Sequence, residues 1–216
     1  MPPTRTSRRR PIFGRVYPLM ARAMDKGGMA ERRRDLPAGL SGQVVEVGAG
    51  DGATFAHYPA SVERVLAVEP EAHLRALATA AATAAPVSVE VHAGMAERLP
   101  VAGASVDAVV FALVLCSVPD QAVALAEAVR VLKPGGQVRF LEHVRADTPR
   151  LARVQDVLDA TIWPHLLGGC HTGRDTLAAI ERAGLRVEHL ERFHFPPART
   201  PLSFYVLGTA VAGGAG

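Results

Sequence analysis

The sequence is poor in cysteine and in aromatic residues, and it has no long apolar run. Cys116 and Cys170 are its two cysteines, too few for a disulfide framework. Aromatic residues make up 5% of the chain, and no basic stripe with interleaved aromatics of the kind that binds nucleic acid is present. No apolar stretch approaches the ~20 residues that span a bilayer. We therefore expect neither a nucleic-acid partner nor an integral membrane segment.

The net charge of +3 is unevenly distributed. Four arginines within residues 5–10 contribute four positive charges, so the rest of the chain carries a small negative net charge. A short basic segment of this kind is more often a solvated terminus than a nucleic-acid arm, and we predict that residues 1–10 are disordered. The same segment lacks the apolar core of a secretory signal, so we expect a cytoplasmic protein.

The apolar content of 49% and the length indicate one folded core. From residue 43 onward, strand and helix patterns alternate with short connections. This alternation predicts an α/β fold, a doubly wound, seven-stranded, mostly parallel sheet in a single domain over residues 11–212. The predicted strands are residues 43–47, 62–69, 87–92, 105–115, 137–144, 185–193 and 202–211.

Helical patterns fill the intervals between the predicted strands. Residues 11–36 form one or two helices broken near Gly27, and a short helix can follow the glycines near residue 50. Further helices are predicted at residues 71–84, at residues 119–132, from Thr148 onward, and from Thr172 to Gly184. The proline and glycines of residues 133–136 end the second of these. The predicted buried faces are Val123, Leu125 or Ala126, Val129 and Leu132 in one helix, and Leu151, Val154, Leu158 and Ile162 in the next.

Residues 44–52 (VVEVGAGDG) run from an apolar strand into a glycine-dense turn. Glycines let a ligand lie directly against the backbone, as a nicotinamide dinucleotide or S-adenosylmethionine does. Glu69 stands where a dinucleotide site has its ribose-binding acid. However, Glu46 and Asp51 place negative charge beside the turn, which repels a pyrophosphate and suits an ammonium and a sulfonium. The charges favour S-adenosylmethionine; the alternative role for Glu46 is that of a hydrogen-bonded strand end.

Taken together, these segments resemble the class I S-adenosylmethionine-dependent methyltransferases. VVEVGAGDG looks like the first motif of that family, and LAVEP looks like the second. VDAVVFALVLCSVPD followed by VLKPGGQVRFLEHV is similar to the fourth and fifth strands and the helix between them. The resemblance covers about residues 12–210 and implies a Rossmann-like enzyme with S-adenosylmethionine as its cofactor.

LVLCSV, LEHV and the C-terminal part of the chain resemble a narrower group, the methyltransferase-like 7 proteins. Its characterised members methylate the sulfur of small alkyl thiols. Those relatives carry an N-terminal membrane anchor, and we expect none in this chain, so the resemblance implies a soluble relative with a small-molecule acceptor, most simply a thiol. An O- or N-methyltransferase, an NAD-dependent oxidoreductase and a silent partner subunit remain the alternatives.

The resemblance also implies which residues bind the cofactor. Glu69 would accept both ribose hydroxyls, and Tyr17 would close over the methionine part as a lid within residues 11–36. Met95 stands where the family often has an aspartate for the adenine amino group, so Glu97 or the backbone at Ala96 would replace it. The remaining expected contacts are Glu46 to the ammonium, Gly48, Ala49, Gly50 and Gly52 along the amino-acid end, Pro70 beside the adenine, and Ala112 and Leu113 beneath the cofactor.

His143 and Cys116 are the candidate catalytic residues, because both follow strands at the carboxyl edge of the predicted sheet. His143 would accept a proton, or would only bond backbone at a strand end. Cys116 would line the acceptor site, or would only fill space. A thiol acceptor makes small demands on a base, because a few per cent of it is already thiolate at neutral pH.

Residues 148–183 are expected to form a helical cover over the acceptor. Its apolar residues predict a small hydrophobic acceptor, or they pack as core. His165, Cys170 and His171 match no closed zinc pattern, so we expect no metal. Trp163 and Cys170 are assigned to the wall of the acceptor site. Asp159 and Arg174 either form a helix–helix ion pair or orient the acceptor.

Overall fold

The computed structural model describes residues 11–213, which form seven strands and seven α-helices. The strands are β1 (Gly42–Val47), β2 (Val62–Val68), β3 (Ser88–His92), β4 (Val106–Ala112), β5 (Leu132–His143), β6 (Leu185–His194) and β7 (Phe204–Ala212). The helices are α1 (Pro11–Met24), α2 (Ala30–Asp35), α3 (Ala72–Ala82), α4 (Gln121–Val131), α5 (Pro149–Ala160), α6 (Trp163–Leu166) and α7 (Thr176–Arg182). The prediction of disorder for residues 1–10 lies outside the described residues.

The strands form one sheet in the order β3-β2-β1-β4-β5-β7-β6. β1 to β5 are parallel, whereas β7 is antiparallel to both β5 and β6. The predicted α/β fold with a seven-stranded, mostly parallel sheet is therefore confirmed. The strand order reverses between β1 and β4, and a crevice forms at the carboxyl ends of the strands at such a switch point.

The sheet is buried on both faces at its centre. Val109 and Phe111 of β4 join a core on one face with Phe140 and Ile180, while Val110 joins the core on the other face. This explains the unbroken apolar run in this part of the sequence, because a parallel strand covered on both sides needs apolar residues at every position.

The segment after β1 differs from its prediction. The glycine turn is followed by a single 3₁₀ turn, Phe55–His57, and not by an α-helix. Tyr58 already has an extended backbone, with ψ of 130°, and Pro59 follows it. Proline disfavours helical backbone in the residue before it, so the helix ends after one turn.

The buried face of α4 is also rotated from the predicted one. Leu125, Val129 and Leu132 contact the core as predicted, but Val123 is 45% exposed, and Ala124, Ala128 and Val131 complete the buried face. The alanines on this face allow the helix to lie close to the sheet, and the apolarity of the side chains alone does not predict which face is buried.

β5 begins at Leu132 because residues 133–136 bulge out between the pairs Val106–Leu132 and Ala108–Gln137.

The predicted apolar face of α5 is correct only in part, since Leu151 packs against the core and Leu158 is half-buried. Val154 and Ile162 are exposed, and the buried residues are Ala152 and Gln155. The Gln155 amide bonds three backbone groups, at Val144, Ala146 and Pro201, so a polar side chain occupies the core position. The next long helix, α7, begins after its N-cap Asp175 and not at Thr172.

Candidate active site

A cavity opens at the carboxyl ends of β1, β2 and β4. It is lined by nine of the residues expected to bind the cofactor: Tyr17, Gly48, Gly50, Glu69, Pro70, Met95, Ala96, Ala112 and Leu113. Within residues 113–119, Leu113, Val114, Ser117, Val118 and Pro119 supply a mostly apolar wall, and Phe13 and Gly168 also line the cavity. The parallel strands bring these distant segments together because their carboxyl ends share one edge of the sheet.

The glycine turn is shaped by packing as well as by space for a ligand. Gly48 has φ of 66°, and a Cβ there would lie 2.6 Å from Cγ2 of Val114. A Cβ on Gly50 would lie 3.1 Å from Cε1 of Tyr17. Gly52 does not line the cavity, because its Cβ position is taken by Phe55 and Ala81. Gly52 therefore permits packing beneath the turn, and its expected ligand contact is not seen. Buried Ala49 does not line the cavity either.

Glu69 joins the end of β2 to the glycine turn. One carboxylate oxygen accepts from Gly50 N at 2.9 Å and the other from Glu71 N at 2.8 Å. Burial raises the pKa of Glu69 to about 7, and these two backbone bonds oppose the rise. Each carboxylate oxygen can accept a second hydrogen bond, so the group is suited to a pair of neighbouring hydroxyls.

Glu46 does not reach the cavity, which corrects its expected contact with an ammonium. Its side chain is 1% exposed and accepts a hydrogen bond of 2.7 Å from the Tyr58 hydroxyl. Burial raises the pKa of Glu46 to about 7. β1 turns this side chain toward the 3₁₀ turn, so Glu46 has the alternative role, a hydrogen-bonded acid beneath the glycines.

Glu97 lines the cavity next to Met95 and Ala96. Both of its carboxylate oxygens are buried, and neither has a hydrogen-bond partner among residues 11–213. Buried carboxylate oxygens are normally bonded, so this pair of acceptors fits an amino group from a ligand. Glu97 is one of the two groups that the sequence offered in place of an acid at position 95.

The lid prediction rests on α1, which is followed by a π-helical turn at Asp25–Met29. Gly28 breaks the helix there with φ of 115°. The rings of Phe13 and Tyr17 are 5.4 Å apart, and both line the cavity. Phe13 also fills the Cβ position of Gly168, so the N-terminal segment touches the loop after α6.

Glu142 is a site residue that the sequence reasoning missed. Its buried carboxylate accepts from the backbone N–H groups of Val114, Leu115 and Cys116, at 2.9, 2.9 and 3.2 Å. Burial raises its pKa to about 7. Leu113 before this turn has φ of 62°. Glu142 is the acid of the LEHV segment, and an acid at the end of a buried strand was the sequence signal that could have identified it.

His143 and the two cysteines form a buried cluster behind that wall. The His143 ring stacks on Tyr205 with centroids 4.8 Å apart, and its Nδ1 lies 3.9 Å from Sγ of Cys170. His143 Nε2 is buried and has no partner among the described residues. The sequence placed His143 and Cys116 at one edge of the sheet and Cys170 in the acceptor wall; the structure brings the three together, and none of them lines the cavity itself.

The two thiols of this cluster have opposite acidities. Contact with Cys170, together with burial, raises the pKa of Cys116 well above its ordinary value. The pKa of Cys170 lies well below its ordinary value, because Cys116 donates to it and His143 and the Trp163 indole also favour the thiolate. Of the two thiols, Cys170 is therefore the more acidic one.

Asp159 and Arg174 are structural, which corrects their assignment to the acceptor site. Asp159 accepts from the backbone of Thr172 and Gly173 at 2.7 and 2.8 Å. Arg174 donates to the carbonyls of Leu115 and Val118 at 2.8 and 2.6 Å. These contacts hold the loop before α7 against the cavity wall, and the described ion pairs include none between the two residues.

Two absences hold for residues 11–213. No group of three or more His, Cys, Asp or Glu side chains in this part of the chain is arranged to hold a metal ion. None of its helices combines the length and the apolarity that crossing a membrane requires.

Comparison with known proteins gives this geometry its context. Residues 45–140 match the methyltransferase domain family. Thiol S-methyltransferase TMT1A of Homo sapiens is 38% identical over 178 residues, which cover 76% of this chain and 72% of that protein. Thiol S-methyltransferase TMT1B of Mus musculus is 36% identical over 205 residues, covering 89% and 82%. The chain belongs to the class I S-adenosylmethionine-dependent methyltransferases, close to the thiol S-methyltransferases.

Solved structures show the same fold. A geranyl diphosphate methyltransferase in complex with S-adenosylmethionine has a TM-score of 0.68 at 18% identity, with 93% of this chain and 91% of that chain covered. The [4+2]-cyclase SpnF has a TM-score of 0.71 at 15% identity, with 94% of each chain covered. This methyltransferase uses S-adenosylmethionine as its cofactor, and the glycine turn, Glu69 and the unpartnered Glu97 carboxylate fit that molecule.

Proposed function

We propose that this methyltransferase methylates the sulfur of small thiols. The proposal rests on the acceptor side of the cavity, where the mostly apolar lining within residues 113–119 stands in front of buried His143, whose Nε2 has no hydrogen-bond partner among residues 11–213. A thiol needs little more, because its thiolate is a strong nucleophile once its proton has left. Similarity to the thiol S-methyltransferases over most of the chain supports the same acceptor class.

The residues on the cofactor side would hold the cofactor in place. Glu69 would accept from the ribose hydroxyls, and the Glu97 carboxylate would accept from the adenine amino group. Pro70 and Met95 would pack against the adenine ring. Bound S-adenosylmethionine supplies an electrophilic methyl group on a sulfonium.

The acceptor side would position the thiol and remove its proton. Leu113, Val114 and Val118 exclude water from the wall along which the sulfur approaches, and in-line displacement requires such a confined path. His143 would take the proton at Nε2, while its stacking on Tyr205 fixes the ring. Cys116 keeps its proton because its pKa is raised, so it has no role as a nucleophile.

The α1–α2 segment and residues 148–183 would cover the bound molecules. Tyr17 and Phe13 approach from the N-terminal side, and Gly168 approaches from the loop after α6. Trp163 and Cys170 lie farther back, beside His143, and would shape the electrostatics around the proton acceptor.

Methyl-labelled cofactor offered with a panel of thiols, phenols and amines tests this function. We expect labelled product with small alkyl thiols, at rates that fall as the acceptor becomes more polar. Product only from phenols or amines would contradict the thiol proposal and favour an O- or N-methyltransferase. Tighter binding of NADH than of S-adenosylhomocysteine would contradict the cofactor assignment itself.

A further inference from the structure

The two cysteines of the chain contact each other in the fold, although they are far apart in the sequence. Cys116 lies in the turn after β4, and Cys170 lies in the loop between α6 and α7. The N–H of His171, the residue after Cys170, donates to the Cys116 carbonyl at 2.8 Å. The two main chains therefore pass each other within one hydrogen bond, and a disulfide requires such a close approach of two backbones.

Other contacts fix both segments in this arrangement. The Glu142 carboxylate accepts from Cys116 N at 3.2 Å, and the Leu167 carbonyl accepts from Cys170 N at 3.0 Å. The Asp159 carboxylate accepts from two backbone N–H groups of the loop that follows Cys170. The contact between the two sulfurs is therefore a built feature of the fold.

The two thiols differ in exposure and in acidity. Cys116 is buried, whereas Cys170 is partly exposed, so a solute in water reaches Cys170 first. Contact with Cys116, and then with His143, lowers the pKa of Cys170 well below its ordinary value. The contact between the thiols raises the pKa of Cys116. An accessible, acidic thiol beside a second, protonated thiol is typical of cysteine pairs that react with peroxides.

We propose that Cys170 is a site of oxidation by hydroperoxides, that Cys116 is its resolving partner, and that the disulfide between them reversibly stops methyl transfer. The Cys170 thiolate attacks one oxygen of hydrogen peroxide, so an S–O bond forms, the O–O bond breaks and hydroxide leaves. The Cys116 sulfur then attacks the Cys170 sulfur. The S–S bond forms as the S–O bond breaks, and the departing hydroxyl leaves as water with the Cys116 proton. The two sulfurs together lose two electrons, and the peroxide gains them.

The first step makes the second one easier. The hydrogen bond to Cys170 is the main cause of the raised pKa of Cys116, and the charge of the Cys170 thiolate adds to it. A sulfenic acid on Cys170 is neutral, so this charge is gone after the first step. Cys116 then loses its proton more readily and becomes the better nucleophile.

The disulfide would tie the acceptor wall to the loop after α6. Val114 and Ser117, on either side of Cys116, line the cavity, and Gly168 lines it from the loop of the second cysteine. Oxidation also removes the thiolate that lies 3.9 Å from His143 Nδ1. The loss of function should therefore concern the acceptor side and spare the cofactor side. This effect on turnover rests on the proposed function, whereas formation of the disulfide does not.

Thiol counting and peptide mapping after treatment with hydrogen peroxide test the modification. Because the chain has two cysteines, one disulfide within it lowers the number of free thiols from two to none without a covalent dimer. We expect mass spectrometry to find a peptide joined through Cys116 and Cys170 that separates on reduction. A sulfinic or sulfonic acid on Cys170 with Cys116 still free, or a disulfide between two chains, would overturn the proposal.

Single serine variants assign the two roles. Cys116→Ser should leave a sulfenic acid on Cys170 that dimedone traps, because no resolving thiol remains. Cys170→Ser should slow the oxidation of Cys116 at least about 10-fold, because that thiol is buried. Oxidation of Cys116 at an unchanged rate in Cys170→Ser would refute the order of the two steps. Mapping of the unmodified protein stands by itself if a variant does not fold.

Turnover of the oxidised protein tests the effect on methyl transfer. In a single turnover with a small alkyl thiol, oxidation should lower the rate about 10-fold or more and change the affinity for S-adenosylhomocysteine less than about 2-fold. A phosphine should restore the rate; a thiol reductant is unsuitable because it is itself a candidate acceptor. Cys170→Ser is the control, and its rate should not respond to peroxide.

The outcomes separate the two proposals. Full turnover in a protein whose disulfide has been mapped would overturn the regulatory role of the cysteine pair. Absence of turnover with every thiol in the reduced protein would instead contradict the proposed function, while the mapped disulfide would still establish the site of oxidation.

Discussion

The two halves of the cavity differ in the polarity of the residues that line them. In the cofactor half, which comprises the glycine turn, Glu69 and residues 94–97, polar groups line the cavity and bond to backbone or face the open space. In the acceptor half, which comprises residues 113–119, His143 and the loop after α6, the lining is mostly apolar and the titratable groups lie behind it.

This difference follows from what each half must bind. A cofactor of fixed structure can be held by groups that match its hydroxyls, amine and charges one by one. An acceptor that only has to place a sulfur in line needs a dry surface and one proton acceptor. Gly48 joins the halves, because its missing Cβ leaves room for Val114 of the acceptor wall.

The largest expected effect lies in the acceptor half. His143→Gln should lower turnover about 10²-fold or more near neutral pH, the usual contribution of a positioned base, with the affinity for S-adenosylhomocysteine unchanged. The deficit should shrink as the pH rises through the pKa of the acceptor thiol, because the thiolate then forms without help. The pH dependence of turnover, recorded for the unmodified protein and for His143→Gln, measures this. A loss of turnover that does not depend on pH would show that His143 has only a structural role.

Gly48→Ala should disturb the packing of both halves of the cavity, because Gly48 contacts Val114 across them. The left-handed backbone and the 2.6 Å approach to Val114 together are expected to cost about 2–5 kcal/mol of stability. Chemical denaturation measures the loss, and adding Val114→Ala should recover part of it. Gly135→Ala is the control, because Gly135 also has positive φ but nothing lies within 4 Å of its Cβ position. A control loss as large as that of Gly48→Ala would refute the packing argument.

Glu69→Gln should affect the cofactor half alone. The neutral amide keeps the shape of the side chain but loses charge-assisted bonds to the ribose, each of about 1.5–3 kcal/mol. We expect S-adenosylhomocysteine to bind at least about 10-fold more weakly, measured by calorimetry, and the fold to lose some stability, because the amide nitrogen cannot accept the backbone bond that Gly50 or Glu71 donates. Exposed Glu63→Gln, at the start of the same strand β2, should leave the affinity unchanged.

The smallest expected effect is a pH dependence of stability to which both halves contribute. Burial raises the pKa values of Glu46, Glu69 and Glu142 to about 7 in the folded chain. Between about pH 4.5 and 7 the folded state then binds more protons than the unfolded state, so stability should fall as the pH rises through this window. Each group contributes at most about 1.4 kcal/mol per pH unit.

Glu142→Gln tests this in the cofactor-free protein. The substitution should flatten the dependence of the unfolding free energy on pH, measured by urea denaturation at several values between pH 5.5 and 7.5. Glu63→Gln again serves as the control. A slope in Glu142→Gln identical to that of the unmodified protein would mean that Glu142 is ionised in the fold throughout this range.

Much of the fold follows from local patterns. The strand positions and the helix break near Gly27 depend on nearby residues, so short stretches of sequence predict them. The rotation of α4 and of α5 is different. Val123 looks as apolar as a core residue and Gln155 does not, yet their burial is decided by closeness to the sheet and by distant backbone groups.

The site divides in the same way. The sequence by itself determined the glycine turn, Glu69 and the position of His143, because each lies at the end of a strand and parallel strands end at one edge. Only the tertiary structure decided that Glu46 turns away from the cavity, that Asp159 and Arg174 hold a loop, and that the two cysteines contact each other. The partner of a polar side chain is set by the packing of segments far apart in the chain, and no local pattern encodes it.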